Sequence, residues 1–189
     1  MNFLEKDLED IIYENANTVE GRELLRERGL DLGGHTYRQV SMGKYGIADL
    51  VNIFACTERI NKGFSVHHLI VDIIELKKDI VNVDTLLQAA GYKKAVEEYF
   101  YEYCSKAWDD FEVRVTLIGQ KLETASNFVF LLDELDWVRV YTYSYSIRGL
   151  EFQENGTWYK KNALDNKIIQ RITNPSRKEV ADIFHKIRG

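Results

Sequence analysis

Apolar residues recur along this chain at two spacings, and the spacing predicts the elements. Leu4, Leu8, Ile11, Ile12 and Ala16 fall on one stripe at helical period, which predicts an amphipathic helix over Phe3–Ala16. A second helical stretch, Glu20 to Arg28, ends at Gly29, a residue suited to a helix C-terminus. Strand-like alternation then takes over from His35 to Val40 and from Ile47 to Ala55, with a turn at Lys44-Tyr45-Gly46 between them. After a turn at Asn61-Lys62-Gly63, Ser65 to Leu76 contains the run Leu69-Ile70-Val71-Asp72-Ile73-Ile74, which reads as a mostly buried strand.

Asp84 is the expected N-cap of a long helix from Thr85 to Lys106. A strand over Glu112–Ile118, a buried helix over Thr124–Leu135 and a strand over Val138–Ile147 follow. Asn155-Gly156, between Phe152 and Trp158, reads as a two-residue hairpin. Asn174-Pro175-Ser176 opens a closing helix that runs to Ile187. This order predicts a mixed α/β domain with one central sheet and helices on both faces.

Composition narrows the class. A chain of 189 residues, 45% of them hydrophobic, can bury one sizeable core. Its single proline and twelve glycines leave no room for a long disordered linker. Cys56 and Cys104 are too few for a disulfide framework and have no metal-ligand spacing. An acidic N-terminus and the lack of a long apolar run lead to the expectation of a soluble, cytoplasmic protein with no membrane partner. No Gly-rich phosphate loop or dinucleotide fingerprint is present. His67-His68, His35 and His185 come without a carboxylate partner that the sequence can place.

Net charge is −5, but it is unevenly spread. Thr157–Gly189 holds eight basic and three acidic residues, so it carries +5 and the remainder −10. The expected division is a domain over 1–156 and a basic extension over 157–189 packed on it, with Lys160, Lys161, Arg177 and Lys178 as candidate phosphate contacts. Lys93 and Lys94 are the alternative contacts. Tyr141, Tyr143 and Tyr145 share a strand face that either stacks unpaired bases or packs under a helix.

The candidate chemistry lies between Asp49 and Tyr92. Asp49 sits at the end of one strand and Glu75 on the next, where both can point into one cleft. Alternation puts Glu75 and Lys77 on one face while Leu76 points to the other. Magnesium needs only one or two carboxylates besides waters and substrate phosphate. Asp49, Glu75 and the Leu76 carbonyl are therefore candidate ligands for Mg²⁺ or Mn²⁺, with Glu5 as an accessory acid from the first helix. Lys77 can orient or deprotonate a water, or neutralise charge on a phosphate. Gln88 and Tyr92, four apart, share a helix face and can reach the same site. Two facing carboxylates without a metal should repel, raising the pKa of at least one.

Asp49, 26 residues before Glu75-Leu76-Lys77, resembles the signature of the PD-(D/E)xK nuclease superfamily. Gln88-x-x-x-Tyr92 is similar to the helix motif of its RecB-like branch. Glu5-Lys6-Asp7-Leu8 followed by Gly46-Ile47-Ala48-Asp49-Leu50 resembles the NucS-like endonuclease domain. The resemblance covers Phe3 to Phe152, and Ala48 stands where the superfamily often has proline. It implies a restriction-endonuclease-like fold and a Mg²⁺- or Mn²⁺-dependent endonuclease hydrolysing DNA. Separately, a homodimer is a candidate assembly. The rival from another class is a non-catalytic nucleic-acid- or protein-binding module on the same fold.

Overall fold

A computed structural model of the chain describes residues 4–61, 64–103, 108–156 and 169–170. The helices are α1 (Glu5–Ala16), α2 (Val19–Glu27), α3 (Val83–Tyr103) and α4 (Ser126–Glu134). The strands are β1 (His35–Ser41), β2 (Ile47–Asn61), β3 (Phe64–Leu76), β4 (Ile80–Val81), β5 (Asp110–Gly119), β6 (Lys121–Leu122), β7 (Val138–Ser146), β8 (Gly149–Glu154) and β9 (Ile169–Gln170). One mixed sheet runs β1-β2-β3-β5-β7-β8, with β9 added beside β2, and β4 and β6 form a separate small ribbon. The β3–β5 and β5–β7 pairs are parallel, and β1–β2, β2–β3 and β7–β8 are antiparallel.

Helices cover both faces, as the two periodicities require. On one face Leu8, Ile12 and Ala16 of α1 and Leu25 of α2 pack against Leu50, Ile74, Leu76, Ile118, Tyr141 and Tyr143. On the other, Leu86, Ala89, Tyr92 and Val96 of α3 and Phe128 and Leu132 of α4 pack against the alternate residues Val51, Ile53, Val71, Ile73, Val115 and Leu117. The parallel pairs follow from this arrangement, because α3 and α4 are the crossovers β3-α3-β5 and β5-α4-β7. Tyr141 and Tyr143 lie buried beneath α1 and α2 and pack there, whereas Tyr145 on the same strand is exposed.

Local chemistry departs from expectation in three places. Asn82, not Asp84, caps α3: its Oδ1 accepts the Thr85 N–H at 3.1 Å and the Thr85 hydroxyl at 3.0 Å. Asp84 falls instead in the first turn, where the helix dipole favours a carboxylate. The α4 helix is shorter than expected and buries only one side, leaving Val129, Phe130 and Leu131 exposed. The described hairpin after the fourth helix is β7–β8, turning at Ile147-Arg148. The expected hairpin at Asn155-Gly156 has its second arm outside the described residues, as does the closing helix.

The end of α2 ties the helical layer to the far edge of the sheet. Gly29 has a φ of 95°, and the Leu30 N–H returns to the Leu25 carbonyl at 2.8 Å, so the chain reverses in a left-handed cap. The Phe152 N–H of β8 then donates to the Arg28 carbonyl at 2.7 Å. A Cβ on Gly29 would stand 2.1 Å from the Phe152 carbonyl oxygen, so backbone, not a flexible side chain, is in the way. Gly29→Ala should therefore lower stability by about 2–4 kcal/mol in urea denaturation, combining the left-handed penalty with displacement of β8.

Candidate functional site

Asp49 and Glu75 meet where β2 begins and β3 ends, at the same end of the sheet. The Leu50↔Ile74 register places Asp49 opposite Glu75 one step further along; Glu75 has the parity of Val71 and Ile73, which face α3, whereas Asp49 borders a cleft lined from α1 and β1. The Asp49 Oδ2 accepts the Leu76 N–H at 2.8 Å. Glu75 Oε1 accepts from Lys77 Nζ at 2.8 Å, and this ion pair is largely screened from solvent because Glu75 is only 2% exposed. The other Glu75 oxygen, Oε2, is buried with no hydrogen-bond partner among the described residues.

The electrostatics follow from that burial. Desolvation, then repulsion from Asp49, pushes the Glu75 carboxyl up from 4.5 to about 7, against the pull of Lys77. Asp49 is also raised, by burial first, although the Leu76 N–H and Lys77 hold it down. The expected repulsion between the two acids is therefore present, with burial the larger cause. For Lys77, partial burial opposes the charge, but the hydrogen bond and attraction of Glu75 outweigh it and raise its pKa. Lys77 is a cation at neutral pH, which suits charge neutralisation better than proton abstraction.

Glu5 reaches this end of the sheet from the first turn of α1. Its Oε2 accepts the Lys78 N–H at 3.0 Å. The Tyr143 hydroxyl donates to the Lys78 carbonyl at 2.8 Å, and the Lys77 N–H donates to Ile118 at 2.8 Å. The segment that carries Lys77 is thus pinned through its backbone at three points, so it is no loose strand end.

Gln88 and Tyr92 support the site from beneath. Gln88 Nε2 donates to the Tyr92 hydroxyl at 2.6 Å, which donates to the Ile47 carbonyl at 2.8 Å, two residues before Asp49. Gly46 makes the approach possible: a Cβ there would lie 3.2 Å from that hydroxyl, and its φ is 116°. The buried Tyr92 is raised in pKa by burial, with Glu75 and Asp49 adding to the shift. The helix motif therefore holds the start of β2 in place.

Beside Asp49 opens a cleft of about 610 Å³ lined by Glu5, Lys6, Glu9, Arg38, Gln39 and Asp49. Asp49 lines it, whereas Glu75 and Lys77 do not. Among the described residues no group of three His, Cys, Asp or Glu side chains is arranged to hold a metal ion. The donor set at this end of the sheet is two carboxylates and a strand-end backbone, all hard oxygen donors, which suits Mg²⁺ or Mn²⁺.

The lysines expected to grip phosphate divide. Lys93 is ion-paired with Glu97 and lies 5.2 Å from the Trp137 ring centroid, so its charge is committed locally. Lys94 stays on the surface, 3.7 Å from Glu98. Lys160, Lys161, Arg177 and Lys178 lie outside the described residues. No described helix is long and apolar enough to cross a membrane.

Several contacts near and far from the site were invisible to spacing arguments. His68 Nδ1 stands 2.8 Å from Asp110 Oδ2, a partner set by the parallel β3–β5 register. Asp72, buried on the α1 face, accepts the Thr116 hydroxyl at 2.8 Å. Glu9 is largely buried and accepts from both Arg38 and Gln39. No protein-family model, no curated protein and no solved structure matches the chain.

The Glu75 shift yields a prediction with a definite sign. Between about pH 4.5 and 7 the unfolded chain ionises this carboxyl before the folded one does. The folded state then binds more protons, so stability falls as pH rises through that window. Glu75→Gln should remove this fall and make the variant more stable than wild type above pH 7, by at most on the order of 3 kcal/mol. Urea denaturation at pH 5 and pH 8 checks it, and an unchanged pH dependence would clear Glu75 as the cause.

Proposed function

We propose that this protein is a Mg²⁺- or Mn²⁺-dependent nuclease that hydrolyses phosphodiester bonds in DNA. The observation that carries the reading is the meeting of Asp49, Glu75 and Lys77 at one end of the sheet, with a buried Glu75 oxygen left without a hydrogen-bond partner among the described residues. An unsatisfied buried carboxylate oxygen is costly, and a cation is one of the few groups that would relieve it. Asp49, Glu75 and the Leu76 carbonyl would hold the metal, which when bound supplies a Lewis acid toward a phosphate oxygen.

The chain's own groups do the rest. Lys77 neutralises negative charge gathering on the phosphate oxygens. Glu5 and Tyr143 keep the Lys77 segment in place, and Gln88 and Tyr92 keep the Asp49 strand in place. Hydrolysis consumes one water: its oxygen bonds to phosphorus, the bond from phosphorus to the leaving sugar oxygen breaks, and that oxygen takes up a proton. The water's other proton is released to solvent at neutral pH.

A non-catalytic binding module is the second reading, and the burial of Glu75 favours it, because the cleft reaches Asp49 but not Glu75. Circular and linear DNA incubated with the purified full chain and Mn²⁺ separates the two. Wild type should cleave, and Asp49→Ala or Lys77→Ala should reduce cleavage by at least about 100-fold. Millimolar Mn²⁺ should also raise the wild-type melting temperature, with most of that rise lost in Asp49→Ala. Cleavage that survives Asp49→Ala would sink the assignment.

A further inference from the structure

Strand β1 carries a backbone outlier beside the cleft. Gln39 has a φ of 50° and is the one non-glycine residue at positive φ among the described residues. An extended backbone is the default for glutamine in a strand, so something must hold it out of that well. Its Nε2 donates to Glu9 Oε2 at 2.8 Å. The other Glu9 oxygen accepts from Arg38 Nε at 3.0 Å. Arg38 is itself held by Asp10 at 2.8 Å and lies 5.2 Å from the Tyr13 ring centroid. Glu9 therefore lines the cleft with both oxygens already engaged, which suits an anchor and not a metal ligand.

The position of the outlier is specific. The β1–β2 register passes from Arg38↔Leu50 to Val40↔Ala48, and Gln39, which faces Asp49 between them, joins none of the described register pairs. The register is the same on both sides of Gln39, so no residue is inserted, and the left-handed backbone at this one position interrupts the ladder opposite Asp49. Asp49 is aimed at the Leu76 N–H.

We propose that Glu9 and Gln39 form a positioning pair, in which Glu9 holds Gln39 in its left-handed backbone and thereby keeps the Asp49 carboxylate on the Leu76 amide. The proposal deepens the nuclease reading, since Asp49 is the candidate ligand that faces the cleft. Glu9 acts through Gln39 and touches neither metal nor substrate.

Amide hydrogen exchange by NMR, on the metal-free full chain, tests the pair directly. In Gln39→Ala the anchor is lost and the extended backbone is restored, so the Leu76 amide should exchange about tenfold faster while the core Val115 amide is unchanged. Glu9→Ala should do the same, and the double variant should exchange no faster than either single one, because the two residues act as a unit. Gln39→Gly, which tolerates positive φ without the anchor, should fall between wild type and Gln39→Ala. An unaltered Leu76 rate in Gln39→Ala, or additive effects in the double variant, would overturn the proposal. Mn²⁺ titration of the same samples should show about tenfold weaker binding in both single variants. Wild type that takes no Mn²⁺ would refute the nuclease reading, while the exchange rates still decide the positioning pair.

Discussion

Strand β3 is covered on both faces, and that double burial governs the rest of the molecule. From Leu69 to Leu76 its residues are buried and alternate between the α1–α2 layer and the α3–α4 layer, so neither side of this stretch offers water to a charge. Two acids nevertheless interrupt its apolar run, three residues apart and hence on opposite faces. Each must find compensation from neighbouring strands, because an isolated buried carboxylate costs several kcal/mol.

The two faces solve this differently. On the α1 face, Asp72 takes the Thr116 hydroxyl from β5 and the field of Arg139 from β7. Burial works against the Arg139 charge, but Asp72 and Tyr141 more than compensate and raise it. Arg139 in turn donates to Tyr141, whose own hydroxyl burial pushes to about 12, and sits 3.5 Å from Glu154. Both Asp72 oxygens therefore have a hydrogen-bond partner, although the Arg139 Nε itself is left without one among the described residues. On the α3 face, Glu75 has one oxygen on Lys77 and the other on nothing described. An acid with both oxygens engaged is structural, whereas one with an oxygen left over is a candidate site.

The open acid lies at an end of the sheet that other elements hold rigid. Backbone contacts from Glu5, Tyr143 and Ile118 fix the segment after β3, and Tyr92 fixes the start of β2. Rigid support of this kind is what a reactive group needs, since displacement of about 1 Å can cost about 100-fold in rate. The strained Gln39 lies at the same end, where a local outlier persists only because Glu9 over-determines it.

Period and spacing by themselves determined much of this protein. The helical stripe of Leu8, Ile12 and Ala16, the apolar run of β3 and the cap at Gly29 are local properties, so the elements and the two-sided sheet could be read from the pattern. The same alternation put Glu75 and Lys77 on one face, because side-chain direction in a strand depends only on parity. Tertiary structure decided the rest. Which of Asn82 and Asp84 capped α3 depended on where β4 released the chain. That Gln88 and Tyr92 brace Ile47, that Asp72 meets Thr116, and that Glu9 holds Gln39 all depend on register between strands and on helices laid across them. Those contacts join residues 30 to 45 positions apart, and no local rule of period or propensity reaches that far.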